Sequence, residues 1–314
     1  TVKTRKQLFD VLTVFAVSGA LVCLYGVAQY IFGWDTSAAW VDEEMFSDIK
    51  MRVYSTLENP NVLGEYILLV LPVCIGLVWQ KPKKLAKLVY IAMAGIMFAT
   101  LILTFSRGCW IGFMITAGLF VTFVCGKIWG LALIALPFLP MVLPESIINR
   151  IASVGDMKDS STSYRVYIWY GSLAMVKDFW ASGIGPGTQA FKSVYPFYSY
   201  SGIVAPHSHN MFLQILVESG IAGIGVFLTT IVMFFKKLIN GYQSTSGKGS
   251  KLGAMIVAIG AGVAGFCVQG MFDNCFYNYR VFLIFWIVLA LGIAAVYIAK
   301  GEKEESAVKA VEEE

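Results

Sequence analysis

Apolar positions fall into eight long runs, at about 8–32, 61–80, 85–105, 108–126, 128–143, 210–235, 252–271 and 280–299. A membrane-spanning helix needs about 20 mainly apolar residues, so each run is expected to cross a bilayer. Open strands are excluded because they leave unpaired backbone groups in lipid. The fifth run is short and carries Pro137 and Pro140, which predicts a bent or half-buried helix. The pattern predicts an all-α, polytopic transmembrane helix bundle of about eight helices. Residues 1–143 hold the first five helices, 144–206 one large loop, 207–299 the last three and 300–314 a charged tail.

Two polar inserts interrupt the runs. Residues 33–60 contain the acidic patch Asp42-Glu43-Glu44 and then Glu58-Asn59-Pro60-Asn61. The Asn-Pro-Asn stretch reads as a turn into the second helix, with proline in the first helical turn. The 63-residue insert at 144–206 is too long for a plain connection. It is rich in tyrosine and tryptophan. Within it, Tyr164 to Asp178 places Val166, Tyr170, Leu173 and Ala174 at helical spacing, which predicts an amphipathic surface helix. Gly183-Ile184-Gly185-Pro186-Gly187 then reads as a tight turn. The tail from Lys300 is a charged, helix-like end expected to be solvated or disordered.

Composition supports this picture. Hydrophobic residues make up 57% of the chain, charged residues only 14%, and mean hydropathy is +0.69. A soluble domain carries about 25% charged residues. With the N-terminus inside, 15 of the 24 lysines and arginines fall on inner segments. Basic bias of this kind marks the cytoplasmic side, so both termini of this chain are expected there. The net charge of +4 reports topology rather than nucleic-acid binding. The six cysteines are scattered through apolar runs without a CxxC pair, which fits packing residues. There is no signal peptide pattern and the chain begins at Thr1, not Met, so a fragment of a longer protein is expected. P-loop, dinucleotide and zincin spacings are absent.

Chemistry concentrates on the expected outer face. Ser106-Arg107-Gly108 ends the third helix, Arg165 starts the loop helix, and His209-Asn210 opens the sixth. His207 and His209 are the chain's two histidines. Two arginines and a histidine suit an anion that must also exchange a proton. Each has a plainer reading. Arg107 snorkels to the interface, Arg165 is a surface charge, and His209 is a structural histidine beside Asn210, a good helix cap. Glu65, Glu218 and Asp273 lie among apolar neighbours and receive no role at this level.

His209-Asn210, nine residues, then Gly220-Ile221-Ala222-Gly223 resembles the signature of the O-antigen ligase and polymerase family, with a departure at Ile224, where the family has a small polar residue. Ser106-Arg107-Gly108 resembles that family's Ser-Arg-Gly at a helix end. Arg165 to Trp169 resembles its Arg-x-x-x-Trp loop helix, and Asp178 to Gly187 its turn. The resemblance implies a GT-C-like membrane glycosyltransferase with an extracytoplasmic loop, in the bacterial cytoplasmic membrane. The donor would be a polyprenyl-diphosphate-linked glycan. The acceptor would be a hydroxyl on a glycan, lipid or protein. Arg107 and Arg165 would bind the diphosphate and His209 would be catalytic. Asn210, Ser106 and Trp169 would support them, without metal or other cofactor. Membrane lipids are expected partners and nucleic acid is not. The alternative is a flippase, a transporter or another non-catalytic binder of a lipid-linked glycan.

Overall fold

The computed structural model describes residues 2–34, 49, 51–80, 83–135, 138, 141, 143–245 and 250–312. Its elements are helices α1 (Arg5–Phe32), α2 (Pro60–Trp79), α3 (Lys84–Leu103), α4 (Arg107–Val124), α5 (Ile128–Ala135) and α6 (Glu145–Ala152). They continue with α7 (Ser160–Phe179), α8 (Thr188–Val194), α9 (Met211–Ser244), α10 (Lys251–Gln269) and α11 (Tyr279–Glu312). No strand occurs among the described residues. The expected all-α bundle is therefore observed. The acidic patch Asp42-Glu43-Glu44 lies outside the described residues.

Local sequence explains several starts. Asn59 caps α2 by accepting the Asn61 N–H, and Pro60 occupies the first turn, as the Asn-Pro-Asn stretch predicted. Asn210 caps α9 by accepting from Leu213 N at 3.0 Å. Ser250 does the same for α10.

Helices α2 and α10 form the centre. Their apolar windows are 83% and 78% buried, against 50% or less in the other long helices. Small residues let α10 lie directly on α4. A Cβ on Gly112 would come within 2.5 Å of the Gly265 carbonyl, and one on Gly265 within 2.3 Å of the Gly112 carbonyl. Without a hydrophobic drive between helices in lipid, such close backbone contact is what holds them together. Thr116 adds hydrogen bonds to Gly112 O (3.0 Å) and Ala261 O (3.1 Å). The remaining long helices keep broad apolar faces outward, including Leu21, Leu88, Val226 and Leu283.

Three expectations gain detail. Seven described helices are long and apolar enough to cross a membrane, in keeping with a bundle of about eight, and part of the fifth run lies outside the described residues. The fifth run contributes only the eight-residue α5 among the described residues. Tyr242 Oη, late in α9, bonds Phe123 O at the far end of α4, whereas Arg107 at the near end of α4 holds the 153–161 segment. Second, the loop helix is longer than expected and buries another face. Tyr170 and Leu173 are exposed, while Ile168 and Met175 pack with Phe191, Tyr195 and Val217, and Ser172 is buried. The helix is apolar on both sides, so spacing alone could not choose the face. Third, the tail continues α11 as helix to Glu312.

Candidate active site

One end of the bundle gathers the polar chemistry. Two adjoining cavities open there, of about 390 and 300 Å³. Both are lined by Arg52, Asn61, Arg150, Ser161 and Arg165. The first also exposes His207, His209, Asp273, Tyr164 and Tyr277. The second is walled by Ile111, Met157, Val166, Trp169 and Phe272. Arginines thus mark the seam between a polar chamber and a largely apolar one.

His209 precedes the α9 cap with φ +48°, a strained conformation for a non-glycine residue. Trp169 Nε1 donates to its carbonyl at 3.3 Å. The ring Nδ1 lies 2.9 Å from Asp273 Oδ1. A carboxylate only accepts, so Nδ1 carries a hydrogen, and in the neutral ring the lone pair lies on Nε2. Asp273 is buried. Burial pushes its carboxyl up, but the charges of His209 and then Arg165 outweigh this and hold it well below the ordinary range. Its other oxygen accepts from Asn61 Nδ2 at 3.0 Å and faces Arg165 Nη2 at 3.9 Å.

His207 stacks against His209 and Tyr277, with ring centroids 4.1 and 4.5 Å apart. Burial, aided by His209, lowers its pKa to about 3, so it stays neutral near pH 7. Its Nδ1 accepts the His209 N–H at 3.2 Å. His207, His209 and Asp273 bring one potential ligand atom each within 4.8 Å of the others. His207 Nδ1, His209 Nδ1 and Asp273 Oδ1 also take part in hydrogen bonds within the group.

The arginines differ in role. Arg165 Nη1 bonds Ser161 O at 3.1 Å and Ser161 Oγ, while its buried Nε has no partner among the described residues. Arg52 donates to Thr104 O and Asn61 Oδ1, both at 2.8 Å. Burial, then Arg150 and Arg165, lowers Arg52 to about 9, which leaves it cationic at neutral pH. Arg107 grips Asp159 through both terminal nitrogens, at 3.0 and 2.8 Å, and bonds Ser153 O and Oγ. Asp159 in turn caps α7 and pairs with Arg150 at 3.5 Å. Burial raises the Asp159 carboxyl, but Arg107 outweighs it and the net shift is downward. Arg107 therefore anchors the loop to α4 and borders only the apolar chamber. Ser106 is buried at the α3–α4 turn.

The far end of α7 is also pinned. Gly220 interrupts α9 with φ +64° and ψ −166°. The carbonyls freed there accept from the loop turn: Ile184 N to Val217 O at 2.9 Å and Gly185 N to Glu218 O at 3.1 Å. Ile221 N donates to Trp180 O at 2.8 Å.

With this geometry established, residues 92–228 match the family model described as O-antigen ligase. That stretch is similar to the O-antigen ligase domain, and together with the many apolar helices the match supports an O-antigen ligase-type membrane enzyme. A search of curated proteins found no match to the chain. The ligase match includes Arg107, Arg165, Trp169, His209 and Gly220 but not Arg52, Asn61 or Asp273. From sequence alone none of these three has a place in the site: Asn61 reads as part of a helix start, and Asp273 is noted without a role. One signal was available: the short 270–278 loop falls on the same side as His209 once the spans alternate.

Proposed function

We propose that this chain is a glycosyltransferase that moves a glycan from a polyprenyl-diphosphate carrier to an acceptor hydroxyl. The reaction would occur on the extracytoplasmic face of the bacterial cytoplasmic membrane, with both termini of this chain cytoplasmic. The supporting observation is the His209–Asp273 pair facing a chamber rimmed by Arg52, Arg150 and Arg165. His209 Nε2 accepts the proton of the acceptor hydroxyl as its oxygen attacks the anomeric carbon. The bond from that carbon to the diphosphate oxygen breaks, and the leaving diphosphate carries the developing charge. Arg165, with Arg52 and Arg150, stabilises that charge in a site partly closed to water. The apolar chamber takes the first isoprenoid units and the polar chamber takes the sugars. Asn210 and Trp169 hold the His209 backbone in place. Arg107, first expected on the diphosphate, positions the loop that carries Arg165. The guanidiniums supply the cationic charge, so no metal is required.

A flippase or other non-catalytic binder also uses arginines but has no use for an oriented imidazole. The test is transfer by purified protein in detergent, with a polyprenyl-diphosphate oligosaccharide and candidate acceptors, with and without EDTA. Wild type transfers glycan and is insensitive to EDTA. His209→Ala does not transfer, although it inserts normally. Specific carrier binding without transfer to any acceptor favours the flippase reading, and EDTA sensitivity returns His207, His209 and Asp273 to consideration as metal ligands.

A further inference from the structure

The seam arginine and the histidine pair are joined by an unbroken chain of hydrogen bonds. Arg52 Nη2 donates to Asn61 Oδ1 at 2.8 Å. Asn61 Nδ2 donates to Asp273 Oδ2 at 3.0 Å. Asp273 Oδ1 accepts from His209 Nδ1 at 2.9 Å. A guanidinium can only donate and a carboxylate can only accept. The group between them must therefore accept on one side and donate on the other, and that fixes which way the Asn61 amide points. Aspartate at this position accepts from Arg52 but has nothing to give Asp273. Alanine does neither. The residue is itself held, since its N–H bonds the Asn59 side chain at 2.8 Å as α2 begins. The Glu58-Asn59-Pro60-Asn61 stretch, read from sequence only as a helix start, thus delivers a bridging amide into the cavity.

We infer that Asn61 is a positioning residue that turns the Asp273 carboxylate toward His209 and ties it to the cationic seam. The inference rests on the proposed role of His209 as proton acceptor. Fixing one Asp273 oxygen on Asn61 leaves the other aimed at Nδ1, which keeps the hydrogen there and the lone pair on Nε2. Through the same amide, whatever anion occupies Arg52 is linked to the orientation of the base.

Two measurements test this on the full chain. In the transfer assay, Asn61→Ala is expected to lower kcat roughly 10- to 100-fold, the scale of one charge-assisted hydrogen bond. The donor KM should change less than about threefold. Asn61→Asp should be worse, because a second carboxylate repels Asp273. Asn61→Ala combined with Asp273→Asn should be no slower than Asp273→Asn alone, since both changes break one chain. Losses that multiply, or an Asn61→Ala kcat within about threefold of wild type, overturn the inference. The second measurement needs no turnover. With only two histidines in the chain, ¹⁵N imidazole spectra report His209 once a His207→Gln spectrum assigns it. Wild type should show the Nδ1–H tautomer, and Asn61→Ala a mixture. An unchanged spectrum refutes the positioning role. A wild type that transfers nothing overturns the proposed function instead, and the spectra then decide the role of Asn61.

Discussion

Asp273→Asn isolates the electrostatics of the histidine pair with almost no change in shape. After His209 accepts a proton, its imidazolium sits against the Asp273 carboxylate, 2.9 Å away by the nearest atoms. Charges about 4 Å apart at an effective dielectric near 20 attract by about 4 kcal/mol. That energy is lost in the variant and corresponds to roughly 10³-fold in rate, within the 10²–10⁴ typical of general base catalysis. A second effect acts in the same direction. Asn61 Nδ2 and Arg165 Nη2 both face the Oδ2 side, so an amide at position 273 places its oxygen there and its nitrogen toward His209. Nδ1 must then accept, the hydrogen moves to Nε2, and the base is lost. The assay is single-turnover transfer from a lipid-linked oligosaccharide, with donor binding measured separately. A kcat reduced about 10³-fold with donor binding unchanged or tighter is expected. Retention of kcat within about fivefold of wild type would falsify the assignment of Asp273 as the orienting carboxylate.

Other perturbations separate anchoring from chemistry. Arg107→Ala removes one of the two guanidiniums on buried Asp159, with Arg150 remaining, so it should cost about 1.5–3 kcal/mol, read as a lower melting temperature in detergent along with lost activity. Arg165→Ala should lose transfer while melting near wild type, because its ion pair with Asp273 is long at 3.9 Å. Gly220→Ala puts a Cβ within 2.2 Å of Ala181 O at a positive φ; it should destabilise the loop by several kcal/mol, seen as faster proteolysis at 181–187. For His207 the folded pKa, about 3, lies below the ordinary 6.5. The unfolded chain therefore binds the extra proton first, and stability is lost as pH falls from 6.5 toward 3. His207→Gln should flatten the melting temperature over that window.

The helices were legible because lipid imposes a length and composition on each span. The short fifth run was the exception: of it, the described residues hold the eight-residue α5, too short to cross alone. Arg165 and His209 were found as residue types at polar–apolar boundaries. Their partners were not, for a physical reason: Asp273 lies 64 residues beyond His209 and Arg52 lies 113 before Arg165. Only the packing of α2 and α10 at the centre of the bundle brings them together. Arg107 was legible as a site residue but not as an anchor, since nothing local in the sequence indicates that Asp159 folds onto it.

The spacing of the His209 to Gly223 signature has a mechanical reading in this fold. Asn210 caps α9 immediately after His209, and Gly220 breaks the helix ten residues later. The break exposes backbone carbonyls that the Gly183–Gly187 turn satisfies, and that turn follows directly on α7. At its other end α7 begins at Asp159, held by Arg107. Helix α7, which carries Arg165 and Trp169, is thereby fixed at both ends to the helices that bear His209 and Arg107. A catalytic group must be held to within about half an ångström. A site resting on a long extramembrane loop meets that demand only if the loop is clamped. Gly220 and Arg107 are then needed for the same reason from opposite ends, and a variant at either should loosen the Arg165–His209 geometry without touching substrate.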